Sequence, residues 1–232
     1  MMTEAHRQLL QALLGLGLVE AERARKLQRL ACEAHRVPQE PLDTFIGTIN
    51  THLRPLSMEI RKGLAEEDGR PHYALVNLAA NEITQLASDY AENELELFKK
   101  TMDLILSSEN GFASSTAILN LADQLKPRKM KKVEAEQLLQ SLVQSKWLQE
   151  KEGEYTLSVR SILELEQYIF CHYPDLAHKC HFCHSLCIQS QVCEDCGTAM
   201  HLHCLGRLFH AQAERRCPHC KQFWPHQVPA QS

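Results

Sequence analysis

From Cys180 to Cys220 the chain reads CHFCHSLCIQSQVCEDCGTAMHLHCLGRLFHAQAERRCPHC, and no other stretch restricts the fold so tightly. Eight of the ten cysteines lie in it. Four pairs of ligand-capable residues have two residues between their members: Cys180/Cys183, Cys193/Cys196, His201/Cys204 and Cys217/Cys220. That spacing lets a tight turn deliver two ligands to one tetrahedral ion, and four pairs complete two closed sites. Neither site keeps an open position, so the expected cofactors, two Zn2+, are structural rather than hydrolytic. So short a segment buries little apolar surface, and metal binding must supply on the order of 10 kcal/mol or more of folding free energy per site.

The rest of the chain argues for metal over disulfides. The longest apolar run near the start, Leu9 to Val19, is interrupted by Gln11, Gly15 and Gly17 and is too short for a bilayer. No basic n-region or small-residue cleavage site marks a signal peptide. A soluble, intracellular protein with no membrane contact is expected, where clustered thiols stay reduced. Single residues near the cluster have plainer readings: His203 exposed or packed, Cys187 and His184 loop residues rather than ligands, Cys32 and Cys171 buried or partly buried thiols.

Before the cysteine-rich segment the pattern is mainly helical. Thr3 caps a helix carrying Leu9, Leu10, Leu13 and Leu14, which Gly15 and Gly17 stop. Glu20 to His35 has helix composition. Pro41 opens a third helix with Leu42, Phe45, Ile46, Ile49 and Leu53 inward. Then the period changes: Leu56, Met58 and Ile60 alternate, Glu66-Glu67-Asp68-Gly69 turns, and Tyr73, Leu75 and Asn77 return as the second strand of a hairpin. The pattern recurs. Asn81 to Leu106 is helical, in one piece or two, Ser114 or Ser115 caps Ala117 to Leu125, and Lys131 to Ser145 points Val133, Leu138, Leu139, Leu142 and Val143 at a core. Trp147 to Ser158 forms a hairpin around Lys151-Glu152-Gly153. A last helix carries Ile162, Leu163, Leu165, Tyr168 and Ile169 up to Pro174.

Three helices and a hairpin, twice, predict tandem winged-helix domains at residues 1–80 and 81–173, then a zinc module at 174–226 and a tail at 227–232. One irregular helical domain with two hairpins is the alternative. The fold class is mainly α with small β wings.

The ligand order of four cysteines, one histidine and three cysteines resembles cross-braced modules of the RING or PHD type. That resemblance implies Cys180, Cys183, His201 and Cys204 on one zinc and Cys193, Cys196, Cys217 and Cys220 on the other. Two sequential sites are the alternative. A histone-reading PHD carries a Trp where this chain has Arg215, whereas Cys217-Pro218-His219-Cys220 resembles the Cys-Pro-x-Cys ending of RING fingers. Phe182 stands where RINGs touch a ubiquitin-conjugating enzyme. The chain departs from that pattern in offering only Leu208 and Phe209 where RINGs often carry a Trp. It also has Lys221 where an Arg often clamps ubiquitin, and lysine lacks the bidentate fork. A nucleic-acid finger fits poorly, because three cations (Arg207, Arg215, Arg216) face three anions (Glu194, Asp195, Glu214) across the segment.

Three further stretches, EDGRPHYALVNLA from Glu67, GFASSTAILNLADQLK from Gly111 and the closing CPHCKQFWPH, make the whole chain resemble one family. It is the RING-bearing non-SMC element one of the SMC-five/six chromosome-maintenance complex. The resemblance implies tandem winged helices followed by a cross-braced variant RING. It implies a chromosome-associated nuclear protein serving DNA-damage repair by homologous recombination and replication-fork maintenance. Its partners would be a MAGE-like subunit and a kleisin subunit, and its activity that of a RING-type ubiquitin-protein ligase enhanced by the MAGE-like partner. Such a RING holds a charged conjugating enzyme without carrying ubiquitin itself. Phe182, Leu208, Phe209, Pro218 and Lys221 are the candidate contacts, with plain packing as the alternative, and Trp224 and Pro225 could pack on the module or on a partner. The other reading is an architectural subunit whose RING-like module docks the MAGE-like partner without significant ligase activity.

One run remains. Lys126, Arg128, Lys129, Lys131 and Lys132 precede the third helix of the second winged-helix candidate, where they could grip DNA phosphates. A solvated loop is the alternative. The wings oppose DNA binding: Glu66, Glu67 and Asp68 in one and Glu150, Glu152 and Glu154 in the other make both acidic, which suits a protein partner better. The formal net charge of −4 adds no general basicity.

Overall fold

The computed structural model describes residues 1–78, 90–126, 128–210 and 214–228. The first unit runs α1 (Glu4–Leu16), β1 (Leu18–Glu20), α2 (Ala21–His35), α3 (Leu42–Leu53), β2 (Met58–Leu64) and β3 (Pro71–Asn77). Its strands order as β1-β3-β2, all antiparallel, with Leu18 opposite Ala74 and Ile60 opposite Leu75. Leu9, Leu13, Val19, Phe45, Ile49, Ile60 and Tyr73 share one core. The second unit repeats the order with α4 (Glu92–Ser107), β4 (Ala113–Ser114), α5 (Ser115–Ala122), α6 (Lys132–Gln144), β5 (Leu148–Lys151) and β6 (Glu154–Leu157), and its sheet is β4-β6-β5. Phe98, Met102, Ile105, Ile118, Leu139 and Trp147 fill its core. Helix, strand, helix, helix and hairpin, with the first short strand beside the last, is the winged-helix arrangement.

Local chemistry explains the boundaries and the departures from the sequence pattern. α1 runs through Gly15 and ends only at Gly17, whose φ of 70° lets its N–H reach Leu13 O. The buried stripe of α1 is Ala5, Leu9 and Leu13, so Leu14 lies outside it and is exposed. Leu56 sits exposed in a 3-10 turn at Arg54–Leu56 instead of starting the strand. The helix from Ser115 stops at Ala122, short of Leu125, after Ser114 caps it by accepting from Ala117 N–H. Val133 is exposed, because the core face of α6 is Ala135, Leu138, Leu139 and Leu142. The second hairpin turns on Glu152 and Gly153, both at positive φ, as a two-residue hairpin connection requires. Of the expected helix Asn81 to Leu106, residues 81–89 and the boundary at 80/81 lie outside the described residues.

After the second hairpin, α7 (Val159–His172) crosses back over β2 and β3 of the first unit. Gly63 makes this crossing possible: a Cβ there would lie 2.8 Å from Val159 Cγ1 and 3.0 Å from Leu163 Cδ1. The C-terminal module then follows as β7 (His178–Lys179), β8 (Leu186–Cys187), β9 (Ser190–Val192), β10 (Ala199–His201) and α8 (Leu202–Phe209). β7 pairs with β8 and β9 with β10, both antiparallel.

Candidate metal centre and its junction with the winged helices

Three of the four ligand pairs sit on turns of one design. His184 N–H donates to Cys180 O, Gly197 N–H to Cys193 O and Lys221 N–H to Cys217 O. The three donors have φ values of 62°, 71° and 65°. Each turn therefore needs a left-handed residue four positions after its first cysteine. That is the place of His184, a loop residue and no ligand. The fourth pair uses a helix start: His201 ends β10, Cys204 lies in the first turn of α8, and a separation of three residues puts both on one face.

The pairs meet crosswise. Cys180, Cys183, His201 and Cys204 form one cluster, and Cys193, Cys196, Cys217 and Cys220 form the other. Within the first, His201 Nδ1 is 3.3 Å from Cys183 Sγ and 3.8 Å from Cys204 Sγ. Within the second, Cys193 and Cys220 Sγ are 3.6 Å apart, and Cys196 and Cys217 Sγ 3.7 Å. A tetrahedral ion with metal–sulfur bonds of about 2.3 Å separates its sulfur ligands by about 3.8 Å. The donors thus already stand at the corners of two such tetrahedra. All ten cysteines are free thiols, so the spacing reflects no disulfide. The fold accordingly carries two cross-braced clusters, each able to hold a metal ion.

Cys187 is buried beside the first cluster, its thiol pushed up by its hydrogen bond to Cys180 and by burial. His203 is buried too, stacked on His201 at 5.0 Å, with burial lowering its pKa. Cys32 is buried as expected, whereas Cys171 is exposed on α7.

The residue that the sequence reading missed is Glu66. It reads in the sequence as one acid of an acidic wing, yet only 6% of it is exposed. Its carboxylate accepts from His201 Nε2 at 3.0 Å, from Ile188 N–H at 2.8 Å and from Gln189 N–H at 3.1 Å. His201 Nε2 also lies 3.0 Å from Leu186 O, which can only accept. Nε2 must therefore carry the proton, and Nδ1 turns its lone pair to the cluster. Burial pulls the pKa of His201 down, while the Cys180 and Cys183 sulfurs and Glu66 raise it, and the net direction is upward. The next wing residue, Glu67, pairs with Lys151 of the second hairpin at 2.5 Å, so the first wing turns inward.

The segment Leu186–Gln189 joins all three parts. Leu186 and Ile188 belong to the core of the second unit. Leu186 N–H donates to Glu166 of α7, and the Ile188 and Gln189 amides donate to Glu66. Gly111 admits the segment, because a Cβ there would lie 2.7 Å from Ile188 O. Gly69 plays the same part for the wing, where a Cβ would meet the His203 ring at 3.0 Å.

The candidate enzyme contacts separate. Phe182 is 48% exposed, Leu208 and Pro218 are half-buried and Lys221 is exposed. Phe182 and Pro218 adjoin His181 and His219, whose rings lie 6.0 Å apart, so the first and last ligand loops are neighbours. Phe209 follows the plain-packing alternative: it is 7% exposed, its ring lies 6.0 Å from that of Trp224, and it belongs to the module core. Trp224 likewise packs on the module, donating from Nε1 to Gln191. Lys221 Nζ folds back to Pro218 O at 2.7 Å. Lys126, Arg128, Lys129, Lys131 and Lys132 are all exposed around the buried Met130, far in the sequence from the clusters. No helix among the described residues is long and apolar enough to cross a membrane.

Residues 6–165 match the family described as Nse1 non-SMC component of SMC5-6 complex, and residues 180–220 match the RING-like domain. A Xenopus laevis protein, non-structural maintenance of chromosomes element 1 homolog, is 55% identical over 228 residues, covering 97% of this chain and 84% of its own. The Homo sapiens protein of the same name is 54% identical over 230 residues, covering 98% and 86%. The Schizosaccharomyces pombe counterpart is 25% identical over 183 residues, covering 79% and 77%. A chain of a solved structure described as Nse1-Nse3-Nse4 complex superposes with a TM-score of 0.91 at 54% identity, covering 98% of this chain and 99% of that one.

Proposed function

The chain belongs to the Nse1 family of SMC5-6 complex components, and from that premise we propose that it is the RING-type ubiquitin-ligase subunit of that complex. It acts with a MAGE-like subunit and a kleisin subunit, in the nucleus, on chromosomes undergoing repair by homologous recombination. The likeness to a chain of the Nse1-Nse3-Nse4 complex supports the assembly. The observation that carries the ligase reading is the exposed Phe182 on the first ligand loop, beside the loop that bears Pro218.

Both clusters take zinc in this reading. Three sulfurs and an imidazole in one, four sulfurs in the other, at tetrahedral spacing, are donor sets that select it. Zinc, when bound, supplies structure only, fixing the ligand loops. Phe182, Pro218 and the half-buried Leu208 then present a fixed surface to the charged conjugating enzyme, while a substrate lysine attacks its thioester. This is catalysis by positioning, with no covalent step on the chain. Discharge of ubiquitin from a charged conjugating enzyme onto free lysine tests it, with the full chain alone and with its MAGE-like partner. Discharge that needs the partner and falls at least tenfold in Phe182→Ala is expected. No discharge across a broad enzyme panel, with the assembly intact, would refute it.

The architectural reading is favoured by a different observation. Phe209 is committed to the core and Lys221 to its own loop, which leaves few groups for a conjugating enzyme. In that case the module docks the MAGE-like partner and ubiquitin transfer is incidental. DNA contact through Lys126, Arg128, Lys129, Lys131 and Lys132 is a subordinate proposal, supported by their exposure. It predicts an affinity for duplex DNA that falls steeply with salt and flattens on charge reversal of the run.

A further inference from the structure

Glu66 is an unusual residue to bury. A carboxylate removed from water needs a positive partner or a full set of donors. Glu66 has the donors, two backbone amides and the Nε2–H of His201. The imidazole links it to the cluster, since Nδ1 of the same ring faces Cys183 and Cys204. The wing presents this carboxylate stiffly: Ala65 N–H donates to Arg70 O, Gly69 N–H to Ala65 O, and Arg70 N–H to Asp68. Ligand histidines that give their second N–H to a carboxylate are fixed in tautomer and orientation and become more basic donors.

We infer that Glu66, from the first winged-helix unit, is the positioning residue of the His-containing metal site in the C-terminal module. The inference rests on the reading that this cluster holds zinc. It makes the wing part of the metal site, although 135 positions separate Glu66 from His201. The all-cysteine cluster has no imidazole to orient, so the effect is confined to one site of two.

The test uses the full chain loaded with zinc and release of the metal to a chelator that reports on it. The unaltered chain releases two equivalents. Glu66→Gln keeps the volume but opposes its amide to Gln189 N–H, and it should speed one release phase about 10–100-fold while leaving the other unchanged. Glu66→Asp, which keeps the charge and shortens the reach, should speed the same phase less. The His201→Cys background separates positioning from support of the backbone. Cysteine completes a four-sulfur site and removes the Nε2–H, so adding Glu66→Gln there should bring no further acceleration. Equal acceleration in both backgrounds would overturn the inference, because Glu66 would then act only through Ile188 and Gln189. Unchanged release in Glu66→Gln would overturn it outright. Failure of the unaltered chain to bind two zinc ions would instead overturn the zinc reading, and the inference with it.

Discussion

Phe182 and Phe209 look alike in the sequence, each an aromatic residue close to a ligand pair, but their surroundings set them different tasks. Phe209 is enclosed with Met200, Leu205 and Trp224. Phe209→Ala should cost about 3–5 kcal/mol and lower the melting temperature of the module. Phe182→Ala removes a half-exposed ring and should change stability by no more than about 0.5 kcal/mol. Thermal melts of the two variants check this, and equal destabilisation would remove the reason for assigning Phe182 an outer role. At this scale the ligand pairs were legible, because two-residue spacing is a local property of the chain. Glu66 was not. Its neighbours Glu67, Asp68 and Gly69 spell a solvated turn, and what makes Glu66 different is His201, which local pattern cannot bring into view.

Helices and hairpins were largely legible for the same reason. Pro41 before Leu42, Ser114 before Ser115 and Glu152-Gly153 between two strands act within a few residues of themselves. The misreadings came where packing selects among several apolar residues, as with Leu14 and Val133. The least legible elements are the glycines that bring units together. Gly111 and Gly153 both have positive φ, but only Gly111 has a backbone carbonyl at 2.7 Å from the place of a Cβ, while Gly153 has only Ser115 Oγ at 3.8 Å. Gly153→Ala should cost about 1 kcal/mol for the left-handed backbone. Gly111→Ala should cost more, about 2–4 kcal/mol, as the Leu186–Gln189 segment is pushed away. Urea denaturation of both variants distinguishes the two, and equal losses would show that the approach to Ile188 is not tight.

At the scale of the whole molecule the three parts do not behave as beads on a string. Two residues of the C-terminal module complete the core of the second winged-helix unit, α7 of that second half packs on the sheet of the first, and the first wing reaches the His-containing cluster. A frame of this kind holds the module in one orientation, which a scaffold that acts by positioning requires. Of the acidic first wing, Glu66 is used by the chain on itself, while Glu67 and Asp68 stay exposed. The two-cluster module and the first wing are therefore expected to form a single cooperative structure. Hydrogen exchange of the full chain, before and after the metal is stripped by a chelator, tests it most directly. The amides of residues 64–70 and 186–189 should lose protection together with the ligand loops, while α1 and α3 keep theirs. Full protection of the wing after the metal has gone would contradict it.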